Sequence, residues 1–160
     1  MFSSCRNKKT DANDKGDNPF GISSNTKTQI LQPCHWSFTV EQSADGEATL
    51  ISTAKLDSGW HLYSQHISDK GPRLEFAYDS SDVYKLLGDT EEEEPHKEYN
   101  PYLEMEVLYF EKMAVFKQKI KVLGKIDFAI TGTIDGTVCL DQSQCVLLEE
   151  DFSFKLAGNP

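Results

Sequence analysis

Residues 125–156, KIDFAITGTIDGTVCLDQSQCVLLEEDFSFKL, alternate apolar and polar side chains over much of their length. Ile126, Phe128, Ile130, Ile134 and Val138 are even-numbered, and so are Val146, Leu148, Phe152, Phe154 and Leu156. Successive side chains of a strand point to opposite faces, so the pattern predicts two strands that each bury their even positions. Cys139 and Cys145 are odd. If the segments pair as a hairpin centred on Gln142, with Asp141, Gln142 and Ser143 as its loop, the two cysteines face each other on the side away from the core. A bridge is then geometrically allowed. Asp135-Gly136 is a second turn signal that would shift the register of the upstream strand, but it leaves the local relation of 139 to 145 intact.

The rest of the chain from about Gln32 has the same texture of short alternating segments. HWSFTVEQ places Trp36, Phe38 and Val40 on one parity, ADGE makes a turn, and ATLISTAKL continues with Leu50, Ser52, Ala54 and Leu56 on one side. SGWHLYSQ follows a Ser-Gly break and RLEFAY follows Gly71-Pro72. EMEVLYFEKMAVFKQKIKVL reads as two strands with a turn near Glu111-Lys112. SSDVYKLLG is compatible with one helical turn, and the EEEE run between Asp89 and Glu98 reads as a solvated loop. About eight short strands without a long helical period predict an all-β sandwich over residues 32–158. Trp36 and Trp60, both within strand-like segments, are expected in its core.

Residues 1–31 differ. RNKKTDANDKGDNPFGISSNTKT, residues 6–28, has only Phe20 and Ile22 as large apolar side chains, too few to order it, and is expected to be a disordered tether. The start, MFSSCRN, places small residues just before Cys5 and resembles the end of a bacterial lipoprotein signal. On that reading Cys5 carries lipid, and the protein works outside the cytoplasm on a membrane tether.

Charge and composition exclude several functions. A formal net charge of -10 without a compensating Lys/Arg cluster argues against a nucleic-acid partner. No stretch approaches the roughly 18 apolar residues that span a bilayer as a helix. Neither a Ser/His/Asp spacing nor a phosphate-cradling glycine loop stands out. A zinc site would have to draw on His61 and His66, but C-x5-C is not a usual structural-zinc spacing and H-x4-H puts its histidines on opposite strand faces. No metal and no cofactor are expected. The histidines read as surface groups, and Cys34, after Pro33 and without an evident mate, as a free thiol.

The 139/145 pair then has two readings. Closing so short a ring contributes only about 2 kcal/mol in the chain-entropy model, a weak motive for a static staple. A short-loop bridge at a hairpin tip is better suited to opening and closing by thiol exchange.

WSFTV, GWHLYSQ, EMEVLYFEKMAVFKQKIKV and the late C-x5-C hairpin, in this order, resemble the N-terminal periplasmic domain of the thiol:disulfide interchange protein DsbD, over roughly residues 33–156. The likeness is to relatives of the Bacteroidetes type. The resemblance implies an immunoglobulin-like sandwich whose cysteine pair passes electrons to or from periplasmic thioredoxin-like or disulfide-bearing proteins. It implies that Cys145 attacks or receives the mixed disulfide and that Cys139 resolves it. The family's cap loop corresponds to HKEYNPYLEME, with Tyr99 or Tyr102 as the cap. The location implied is the periplasm or cell envelope, and the activity, if enzymatic, is thiol:disulfide interchange. A non-catalytic lipoprotein adaptor with a structural disulfide is the alternative.

Overall fold

The structure, a computed structural model, describes residues 30–68, 70–141 and 143–159. The tether expected over 1–31, with its Cys5, falls outside the described residues except for Ile30 and Leu31, and so does Gln142 at the expected hairpin centre.

Among the described residues, ten strands form two antiparallel sheets. The chain runs β1 (Cys34–Gln42), β2 (Glu47–Leu56), β3 (Trp60–Tyr63), β4 (Glu75–Tyr78) and β5 (Tyr84–Glu92), then β6 (His96–Asn100), β7 (Met105–Glu111), β8 (Met113–Val122), β9 (Phe128–Leu140) and β10 (Gln144–Leu156). One sheet has the order β1-β2-β8-β5. The other has the order β10-β9-β3-β7-β6, with β4 also paired to β9. This is the expected β-sandwich.

The even face of each long strand turns inward. Leu50, Ala54, Phe116 and Ile120 from the first sheet meet Leu62, Ile130, Ile134, Val138 and Phe154 from the second, all buried. Aromatic rings fill the gap between the sheets: Phe116 lies 5.2 Å from Phe76 and 5.6 Å from Phe110, and Phe38 lies 5.4 Å from Phe154. Trp60 is buried, whereas Trp36, Phe38 and Phe128 are half-buried and pack against the core. Such ring pairs add to the area that each aromatic removes from water.

Several expectations are corrected. Asp135-Gly136 is no turn, because β9 runs unbroken from Phe128 to Leu140. Glycine is used there for close approach: a Cβ at Gly136 would meet Leu74 Cδ1 at 2.8 Å, and one at Gly132 would collide with the carbonyl oxygen of Ala77 on β4 and with the Phe152 ring. SSDVYKLLG makes no helical turn; its second half opens β5, an edge strand with a register shift between Leu87 and Glu91, around Gly88 at φ 74°. The EEEE run is only partly loop, since Glu91 and Glu92 belong to β5, where Glu91 pairs in register with Lys117 and lies 3.7 Å from Lys119 Nζ. Ile126 is 78% exposed because it precedes β9 rather than belonging to it. Glu111-Lys112 does separate two strands, but β7 and β8 lie in different sheets. Lys112, at φ 64°, carries the chain across, and its carbonyl accepts from the Leu56 amide at 2.8 Å.

Phe116, with no exposed surface, touches aromatic rings from both sheets. Phe116→Ala is expected to destabilise the domain by about 3–5 kcal/mol, as read from the midpoint of urea unfolding.

Candidate functional site

The β9–β10 hairpin pairs Leu140 with Gln144, Cys139 with Cys145 and Val138 with Val146. The Ser143 amide closes the turn on the Leu140 carbonyl at 2.9 Å. Val138 enters the main core, so the cysteines lie on the opposite, outer face of the sheet, where they form a disulfide.

That outer face is not open along its whole width. Cys139 is 8% exposed and belongs to a second small core with Tyr63, Ile67 and Val107, flanked by Met105, Leu108 and Tyr109. Cys145 is exposed. The outer-face position of the pair therefore leaves one sulfur open and the other covered. Alternation alone does not register this, because it assigns residues to faces without saying what covers each face.

The cover comes from Tyr63 of β3, Ile67 just after it and Val107 of β7. HKEYNPYLEME, which the resemblance gives as a cap loop, is only partly loop: His96–Asn100 is a strand, and Pro101 falls in the turn just after it. Asn100 Oδ1 accepts from the amides of Tyr102 at 2.9 Å and Leu103 at 3.1 Å, which shapes that turn. Tyr99, 61% exposed, lines a hollow of about 220 Å³ with His61, Tyr109, Glu111, Cys139 and Asp141. Tyr102, 74% exposed, lines an adjoining hollow of about 400 Å³ with Tyr63, Leu103 and both cysteines. Each tyrosine thus lines a hollow that Cys139 also lines.

Residues that sequence reasoning left as surface groups complete the surroundings. β3 lies between β9 and β7, and its register pairs His61 with Cys139 on one side and with Glu111 on the other. Cys145, Cys139, His61 and Glu111 therefore stand in one row across four strands. His61 Nε2 is 2.9 Å from Glu111 Oε1, its Nδ1 is 3.3 Å from Asp141 Oδ1, and its ring meets Tyr109 edge-on at 4.7 Å. The Tyr109 hydroxyl donates to Glu98 Oε2 at 3.1 Å, and burial, then that bond and the nearby carboxylates, push its pKa up. Tyr63 is likewise raised by burial. His61 had a local signal, the shared parity with Tyr63 in GWHLY, but its register against β9 is a long-range fact with no sequence trace.

The remaining candidates lie elsewhere. Cys34 is a free thiol at the start of β1, in the main core, and its pKa is pushed up to about 12 by burial, then by Glu150 and Asp57. His66 Nε2 is 3.9 Å from Glu92, a carboxylate that accepts from Ser64 Oγ and from the Gln65 amide at 3.1 Å. Among the described residues, no group of three or more His, Cys, Asp or Glu side chains is placed to hold a metal ion.

A family model described as "Thiol:disulfide interchange protein DsbD, N-terminal" matches residues 27–157. No curated protein matches the chain. Among solved structures, the N-terminal periplasmic domain of ScsB from Proteus mirabilis is similar with a TM-score of 0.57 and 18% identity, over 81% of this chain and 48% of that one. The present chain thus spans about half the length of that relative. The reduced form of the DsbD N-terminal domain from Neisseria meningitidis matches with a TM-score of 0.55 and 13% identity, over 83% of this chain and 94% of that one. The complex of the DsbD and PilB N-terminal domains from Neisseria meningitidis gives a TM-score of 0.52 and 8% identity, over 78% and 87%. At these identities the structural likenesses show the fold.

The disulfide links residues six apart that thirteen cross-strand pairs already hold together, so reduction is expected to lower unfolding free energy by no more than about 2 kcal/mol. Urea unfolding with and without reductant measures this. In the reduced, folded protein near neutral pH, alkylation followed by mass spectrometry should find Cys145 labelled and Cys34 unlabelled, because burial keeps the Cys34 thiol protonated and shielded.

Proposed function

The chain belongs to the family of the N-terminal domain of the thiol:disulfide interchange protein DsbD, and from that premise we propose that Cys139 and Cys145 form a thiol–disulfide exchange centre. The observation that carries the reading is the unequal burial of one bridge, with Cys145 exposed and Cys139 8% exposed. Exchange begins when a thiolate reaches a disulfide sulfur in line with the bond. Burial makes Cys145 Sγ the one to be reached.

In the reducing direction of the domain, a partner thiolate attacks Cys145 Sγ. The Cys139–Cys145 bond breaks, and its electron pair leaves on Cys139 Sγ. The partner's second thiolate then attacks its own sulfur in the mixed disulfide and releases Cys145 as thiolate. The partner ends as a disulfide, two electrons poorer, and the domain as a dithiol after taking up two protons. The reverse sequence, opened by Cys145 thiolate attacking a partner disulfide, passes the electrons on. The β9–β10 ladder persists through both, because its pairing does not need the bridge. The DsbD N-terminal domain of Neisseria meningitidis, which has this fold, is known in a reduced form.

Tyr99 and Tyr102 serve as the cover over this centre, each beside its own hollow. Partners are disulfide-bearing or thioredoxin-like proteins outside the cytoplasm; a DsbD N-terminal domain in complex with a PilB N-terminal domain supports partners of the protein class. Residues 32–158 make up the exchange domain, and residues 1–31 tether it to the membrane through lipid on Cys5. The likeness to a domain described as periplasmic supports a place outside the cytoplasm.

Cys139→Ser is expected to accumulate a mixed disulfide with a partner, since the resolving thiol is absent, and Cys145→Ser to capture none. Non-reducing electrophoresis of extracytoplasmic fractions reads both. Capture by neither variant would leave the pair as a staple and favour a non-catalytic adaptor. Tyr102→Ala is expected to speed alkylation of the reduced Cys145 thiol several-fold, followed by the rate of reagent incorporation.

A further inference from the structure

We infer that His61 is the proton donor to the Cys139 sulfur when the bridge opens, so that a histidine sets the pH dependence of exchange in this domain. The inference rests on the reading of the pair as an exchange centre and adds to it the fate of the leaving group.

The geometry is set by the sheet. His61 and Cys139 are directly paired residues of neighbouring strands, and both line the hollow of about 220 Å³. Side chains so paired on one face have Cβ atoms about 5 Å apart, and the hollow has room for water between them. The ring is also held in place. Its Nε2 is 2.9 Å from Glu111 Oε1 on β7, and its Nδ1 is 3.3 Å from Asp141 Oδ1 on the hairpin turn. A histidine facing a carboxylate at each nitrogen satisfies both contacts only when both nitrogens carry hydrogen, which is the imidazolium form. Glu111 makes the closer contact and fixes the ring. Asp141, 69% exposed, makes the looser one, so the Nδ1 hydrogen is the one able to turn to sulfur.

Other charged or titratable groups face the same place. Tyr109 of β7 lies edge-on to the imidazole and donates to Glu98 of β6, the ring of His96 on β6 lies 5.6 Å from that of Tyr109, and Tyr63 follows His61 on β3. Three carboxylates around one disulfide oppose formation of a thiolate. A proton supplied at the departing sulfur removes that opposition. The step balances: an attacking thiolate, the bridge and the imidazolium become a mixed disulfide on Cys145, a neutral thiol on Cys139 and a neutral imidazole, which then takes a proton from water.

The test measures the opening of the bridge in the full chain by dithiothreitol, with rates expressed per attacking thiolate, across the range where histidines change charge, about pH 5 to 8. The wild-type rate constant is expected to rise roughly three- to tenfold toward the acid end, since a better leaving thiol departs faster. In His61→Gln the profile should be flat, and His96→Gln should keep the wild-type slope. Should His61→Gln fail to fold, the wild-type inflection is compared with the titration of each imidazole ring followed by NMR. Coincidence with His61 supports the inference. Equal slopes in wild type and His61→Gln, or an inflection that follows His96, overturn it while leaving exchange intact. A bridge that dithiothreitol opens only on unfolding overturns the exchange reading itself, and this inference with it.

Discussion

The register of β9 against β10 is the constraint on which the rest depends. Thirteen pairs run from Gln144 opposite Leu140 to Leu156 opposite Phe128. A slip by one residue in either strand would turn that strand's buried side chains, Ile130, Ile134 and Val138 or Phe152 and Phe154, to the outer face, and would leave Cys139 and Cys145 no longer opposite one another. Core and disulfide are therefore specified together. The large apolar penalty for a slip holds the sulfurs in register, and a bridge that contributes little stability of its own is kept in place by side chains on the other side of the sheet.

This coupling explains what was legible in the sequence. The hairpin is local, its parity is strong, and both the sandwich class and the cysteine juxtaposition follow from it. Edge strands were less legible for a physical reason. β5 and β6 each have one side unpaired and bury little, β6 having four exposed residues of five, so they carry charge where a central strand carries alternation. Gly136 misled in the opposite sense. Its lack of a side chain makes room for Leu74, yet a glycine after an aspartate in sequence reads as a turn. Which sheet a strand joins was also hidden, because the crossing at Lys112 looks in sequence like any other tight turn.

The site's second layer was hidden because it is made by long-range pairing. β3 has four residues, yet it lies between β9 and β7 and so brings a histidine to one cysteine and a carboxylate to that histidine. The segment after β3 returns over the outer face with Ser64 fully buried and Ile67 nearly so, and it is tied to the other sheet through Glu92, which accepts from Ser64 and Gln65. A sheet that is dry on one side in most places is here dry on both. Unequal burial of the two sulfurs follows directly, since β9 lies under this second core and β10, at the sheet edge, does not.

The acidic character of the chain takes a local meaning at this point. Glu98, Glu111 and Asp141 line the hollow that Cys139 shares, and their charges oppose a thiolate there, although each carboxylate is itself exposed to solvent. The disulfide, being uncharged, is the form that such a setting favours over an ionised dithiol. Two of those carboxylates also hold the imidazole of His61 in contact at both nitrogens, so the groups that oppose a sulfur anion are the ones that station the ring beside it. Removing the histidine alone would leave the carboxylates unanswered, whereas removing a carboxylate would loosen the ring and weaken the repulsion together. Charge, ring and sulfur in this row are consequently expected to respond to substitution as a unit rather than as a sum.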